Sequence, residues 1–171
     1  MLFLPRLFAL ISCVILTFQD LKHRKIALLP VLTLWAGLFA IGLISLPKQV
    51  FLESIVLNLT IFTLIHFMLF IFLWFKHKRI FNPINKFHGS GDVLISLVLT
   101  CCFSPLNFLS FYVFSLVFTL ITYSSYLLIT GKQSIGFPTA GLTAVLLGIL
   151  LIGQILGFDI HFYQDYFLQN L

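Results

Sequence analysis

Charge is what this chain has least of. Of its 171 residues only 9% are charged, 60% are hydrophobic, and the mean hydropathy is +1.11. Soluble domains average about 25% charged and about 45–50% apolar residues. A soluble globular enzyme is therefore excluded, and so is a disordered chain, which needs far more polar sequence. Carboxylates number five: Asp20, Glu53, Asp92, Asp159 and Asp165. The three cysteines, Cys13, Cys101 and Cys102, lie in apolar stretches without a CxxC pair, which argues against a disulfide framework or a zinc ribbon. No HExxH occurs, so a membrane metalloprotease is disfavoured, and Gly89 and Gly91 lack the Lys-Ser/Thr pair of a phosphate-binding loop. The basic residues do not alternate with aromatics. No nucleic-acid partner, cofactor or metal is expected.

What the chain has is long apolar runs. One membrane-spanning helix takes about 20 apolar residues, so the length accommodates five to seven. The runs predict six: Leu2 to Phe18, Ile26 to Leu46, Val50 to Phe75, Asp92 to about Ser104–Pro105, Asn107 to Thr130, and Phe137 to Gly157. The fourth is short for a span. The basic cluster follows the first run instead of preceding it, so the first run reads as a retained helix, not a cleaved signal. The expected architecture is all-α, a single polytopic membrane domain over residues 1–171 with membrane lipid as its surroundings. Lys22, Arg24, Lys25, Lys76, Lys78, Arg79, Lys86 and Lys132 fall in alternate loops, against Arg6 and Lys48 on the other side. By the positive-inside rule those loops are cytoplasmic and both termini lie outside.

Two carboxylates stand out on this topology. Asp20 falls at the cytoplasmic end of the first helix and Asp92 at the cytoplasmic start of the fourth. Ionisable groups embedded in a membrane protein are costly and are functional candidates by default. Facing carboxylates share a proton, because like charges about 3 Å apart do not both ionise. One then acts as base on water while the other donates to a scissile carbonyl. Taken singly, each has a plainer reading. Asp92 is a helix cap, and Asp20 is an interfacial ion partner of Lys22 and Arg24. Glu53 reads as an outer-interface residue, Asp159 and Asp165 as solvated tail charges, and His23 and His88 as loop histidines near the two aspartates. His66 reads as a hydrogen-bonded interior residue.

The surroundings of the two aspartates carry more. Gly89-Ser90-Gly91-Asp92 is a GxGD motif at the mouth of a helix, with glycines that permit close backbone approach. Asp20 is followed by Leu21-Lys22-His23-Arg24-Lys25-Ile26, and Ile135-Gly136-Phe137-Pro138-Thr139-Ala140-Gly141 opens the sixth helix. Together these resemble the type IV prepilin and archaeal preflagellin peptidases, GxGD membrane aspartic proteases, over essentially the whole chain. The resemblance implies that Asp20 and Asp92 are catalytic, with Gly89, Gly91 and Pro138 supporting the motifs. It implies a prepilin-like substrate with a short basic leader and an apolar helix, cleaved at the cytoplasmic face of a prokaryotic inner membrane. The chain departs from the family in three places. Val93 and Leu94 stand where a Lys usually follows GxGD, Ile26-Ala27 replaces Ile-Pro, and the first loop is too short for the cysteine-paired domain of the bifunctional members.

Two alternatives remain beside the peptidase: a small membrane transporter and a non-catalytic assembly factor of the same fold. Helix polarity also predicts a division of labour. Asp20, at the negative C-terminal pole of the first helix, holds the shared proton, and Asp92, at the positive N-terminal pole of the fourth, is the ionised base.

Overall fold

The computed structural model describes residues 2–24, 26–77, 90–131 and 138–163. Every regular element among them is a helix: α1 Phe3–His23, α2 Leu28–Ser45, α3 Lys48–His77, α4 Ser90–Leu99, α5 Pro105–Thr130 and α6 Thr139–Ile155. α1, α2, α5 and the Lys48–Phe72 part of α3 are long and apolar enough to cross a membrane. The chain has the architecture of a polytopic membrane protein.

The boundaries have local causes. α1 ends where Arg24 turns left-handed at φ 50° and its N–H bonds back to the Asp20 carbonyl, an αL cap. α2 begins after extended Ala27, whose N–H is taken by Gln19 Oε1 at 3.1 Å. α5 opens with Pro105, which has no N–H to leave unsatisfied, and closes on left-handed Gly131.

α1 lies between α2 and α6 and packs most extensively on these two. Lipid tails are as apolar as leucine, so helices associate in a membrane through close packing rather than exclusion from water. Small residues make that possible here. Ala9 of α1 meets Gly37 of α2, and Cys13 of α1 meets Gly148 of α6. Leu16, Leu34, Leu38, Ala144, Leu147 and Leu151 fill the three-helix core completely. α3 and α5 are peripheral. At 30 and 26 residues they extend ~45 and ~39 Å, beyond the ~30 Å hydrocarbon layer. Their far ends are bare: Phe75, Leu128 and Ile129 are 71, 87 and 84% exposed.

α4 departs most from expectation. It begins at Ser90, two residues before Asp92, and stops at Leu99 instead of running to Ser104. Its 10 residues cover ~15 Å, about half the hydrocarbon layer. A buried turn over Thr100, Cys101, Cys102 and Phe103 follows. Irregular backbone at such depth must be satisfied within the protein. Asn58 of α3 does this, donating both Nδ2 hydrogens, to the Thr100 carbonyl at 2.9 Å and the Phe103 carbonyl at 2.7 Å. The Tyr163 hydroxyl donates to the Cys101 carbonyl at 3.0 Å. Burial pushes that phenol well above its ordinary range, so it stays a donor. The sixth helix is also shorter than its apolar run, Thr139–Ile155 in place of Phe137–Gly157.

Candidate active site

Asp20 lies three residues before the end of α1 and is buried. Its Oδ2 accepts the Gly141 N–H at 2.6 Å. Gly141 is the third residue of α6, and N–H groups of a helix's first turn have no partner inside the helix. Asp20 therefore performs across two helices what an N-cap side chain does within one. Glycine allows the close approach. A Cβ on Gly141 would lie 3.0 Å from the Asp20 Cβ and 3.1 Å from Oδ2. One turn earlier on α1, the Thr17 hydroxyl lies 2.8 Å from the Cys13 carbonyl and 3.3 Å from the Gly141 carbonyl. The single Thr17 hydrogen serves the nearer Cys13 carbonyl first, so α1 holds Gly141 mainly through its N–H.

Asp92 is the third residue of α4, partly buried. It lines a cavity of about 80 Å³ with Thr139 and Ala140 of α6 and with Tyr112, Ser115 and Thr119 of α5. The first turn of α6 therefore carries both carboxylates, Asp20 on the Gly141 N–H and Asp92 across the cavity from Thr139 and Ala140. Asp92 is close enough for its charge to act on Asp20, as does that of Arg24. α6 packs on both α1 and α4. Both aspartates singled out in the sequence border the first turn of α6, Asp20 through the Gly141 N–H and Asp92 through the cavity it shares with Thr139 and Ala140.

The supporting residues have physical roles. A Cβ on Gly91 would fall 2.5 Å from Ile26 Cδ1, so the residue closing the basic stretch packs onto the GxGD segment. Pro138 caps α6, and its carbonyl accepts the Leu142 N–H at 3.1 Å. Gly89, His88 and Asp165 lie outside the described residues.

Three expectations change. Asp92 sits inside the first turn of α4 and is not the residue preceding it, as a cap would be. The Asp20 carboxylate turns toward α6 and not toward an interfacial lysine; Lys22 Nζ stands over the Phe18 ring, 5.2 Å from its centre. The division of roles by helix polarity also loses its basis. α1 runs on through His23, and the N-terminal pole of α6 adjoins both carboxylates, so helix poles no longer set the pair apart.

The remaining candidates lie elsewhere. Glu53 is exposed and accepts from Gln49 Nε2 at 3.4 Å. Asp159 and His23 are exposed. His66 is interior, with Nδ1 2.9 Å from the Phe62 carbonyl and its ring against that of Phe62. Cys13, Cys101 and Cys102 are free thiols in packed surroundings.

Reading the carboxylates alone missed the hydroxyls around Asp92. Ser96, Tyr112, Ser115, Thr119, Thr139 and Thr143 all line its cavity. The signal was periodicity: Tyr112, Ser115, Thr119 and Thr122 recur at helical spacing, as do Thr139 and Thr143. No family model matches this chain, and no curated protein or solved structure does.

Proposed function

We propose that the chain is an integral membrane aspartic endopeptidase with Asp20 and Asp92 as its dyad. The observation that carries this reading is that two carboxylates from distant helices border the same helix N-terminus. A positive pole and free N–H groups there offset part of the repulsion between them. The resemblance to prepilin peptidases supplies the substrate: a prepilin-like precursor cut at the cytoplasmic face of a prokaryotic inner membrane, with the GSGD segment on that face and both termini outside.

The chemistry follows from the geometry. Asp20 Oδ2 is committed to accepting the Gly141 N–H, so a proton on Asp20 resides on Oδ1. Asp92 lines a cavity with Thr119 and Thr139 and takes the base role. It removes a proton from water as the water oxygen attacks the scissile carbonyl carbon. Asp20 donates to the carbonyl oxygen. Collapse of the tetrahedral intermediate breaks the C–N bond as the proton held by Asp92 passes to the leaving amine and one hydroxyl of the intermediate returns its proton to Asp20, which restores the dyad. Water and the peptide bond are consumed; a carboxylate and an amine are produced. The chemistry requires no metal, and chelators leave it unchanged.

A second reading, a small membrane transporter, draws on the hydroxyls around Asp92, since polar groups at depth also mark transport sites. Cleavage of a synthetic prepilin by the purified protein in liposomes separates the two. Turnover that is lost in Asp20→Asn and in Asp92→Asn supports the peptidase. A correctly folded wild type without turnover removes it.

A further inference from the structure

The cavity beside Asp92 contains more polar groups than a base needs. Some of them are committed to their own helices: Ser115 Oγ donates to the Tyr112 carbonyl at 2.8 Å and Thr143 Oγ1 to the Thr139 carbonyl at 3.0 Å. Each such hydroxyl keeps lone pairs for a further partner. Thr139 Oγ1 is different. It is buried and makes no hydrogen bond with the protein. A buried hydroxyl left dry costs about 1–3 kcal/mol, and such groups are regularly satisfied by ordered water. Water occupies a protein cavity only where there is room and two to four polar partners. The cavity offers about 80 Å³, against about 30 Å³ for a water in the liquid, and it has Asp92, Thr119 and Thr139 on its walls.

We infer that this cavity is a hydration chamber, a small water cluster held by Thr139, Thr119 and Asp92 between α4, α5 and α6. Hydration rests on the cavity and the orphan hydroxyl alone. The chamber's role as the source of hydrolytic water, with Thr139 as a positioning residue, rests on the endopeptidase reading. Thr119 lies eleven residues before the end of α5, ~17 Å along the helix, so the cavity reaches well inside the bundle from that end.

Hydration is tested without reference to activity. Thr139→Cys and Thr119→Cys are each exposed to silver ion in liposomes, and the thiols left unreacted are then counted after denaturation. Silver is charged and does not enter hydrocarbon. The wild type is the blank, because its three cysteines are buried. Leu120→Cys is the lipid-facing control, at a side chain 64% exposed. The expected result is loss of the new thiol at 139 and at 119 and its survival at 120. Protection of both 139 and 119, in variants that insert and fold, overturns the chamber. The role of Thr139 is tested separately with synthetic prepilin. Thr139→Val should lower kcat roughly tenfold with little change in KM, as expected for a lost positioning contact, and Thr139→Ser should restore it. Unchanged kcat in Thr139→Val removes that role. Silver-reactive thiols in a protein without turnover leave the chamber standing and remove the peptidase. Turnover with protected thiols does the reverse.

Discussion

Ile26 packs directly onto Gly91: a Cβ at position 91 would come within 2.5 Å of Ile26 Cδ1. That contact joins the end of the basic loop after α1 to the first turn of α4, and so ties the segment following one aspartate to the segment preceding the other. Gly91→Ala should push the two apart. Misplacement by about 1 Å costs catalysis roughly a hundredfold, and a loss of that order in prepilin cleavage is expected. Ile26→Ala makes room, so the double variant Gly91→Ala/Ile26→Ala should recover most of it. Failure of the double variant to exceed Gly91→Ala would show that the glycine serves something other than this contact.

The dyad itself makes the plainest claim. Asp20→Asn and Asp92→Asn should each abolish cleavage while the protein still inserts and purifies as a folded species. Glu53→Gln should leave the rate within about twofold, since an exposed side chain on another helix has no route to the reaction. Substantial activity in either aspartate variant removes the mechanism.

Gly141→Ala isolates the helix-to-carboxylate bond. The added methyl meets Asp20 Cβ at 3.0 Å and Oδ2 at 3.1 Å, so the carboxylate must move while its charge is retained. A fall in kcat of roughly tenfold or more is expected, with KM little altered because no substrate contact is removed. Unchanged kinetics would mean that Asp20 does not depend on its place at the start of α6.

Stability should depend on Asn58. Asn58→Leu keeps the volume and deletes both donors to the turn after α4. Hydrogen bonds between membrane helices average about 0.6 and reach about 1.7 kcal/mol. A destabilisation of about 1–3 kcal/mol is expected in denaturant titration of the detergent-solubilised protein. Asn58→Asp, which loses the same donors and adds a charge, should be worse.

Orientation is checked by reporter fusions. Fusions at Lys78 and at the C-terminus should report opposite sides of the membrane, with Lys78 inside, as the Lys/Arg asymmetry requires. Reports from the same side contradict the alternating arrangement of six helices.

Helix number and the longer boundaries were legible in the sequence because apolar runs bounded by Pro47, Gly131 and the basic clusters leave little choice in lipid. The GxGD segment and Asp20 were legible because carboxylates are so few. The end of α4 was not. Its turn is satisfied by distant partners, Asn58 on the Thr100 and Phe103 carbonyls and Tyr163 on that of Cys101, and no local pattern announces them. The helix-polarity argument for dividing roles between the two aspartates lost its footing for a similar reason. Helix polarity was read from each residue's own helix, whereas the pole adjoining both belongs to α6. Gly141 stood in the sequence as part of a loosely matched motif, without any sign that its N–H meets Asp20.

The principal partner of α1 is α6, five helices later in the chain. During synthesis α1 and α2 enter the membrane as a hairpin long before α6 exists. Asp20 must then wait near the end of α1, hydrated or near Arg24, until Gly141 arrives to meet its carboxylate. The dyad is consequently assembled at the final stage of helix insertion. A chain stalled before Thr139 carries both aspartates without the helix start that borders them, so a centre of the proposed kind would be kept silent by the order of translation.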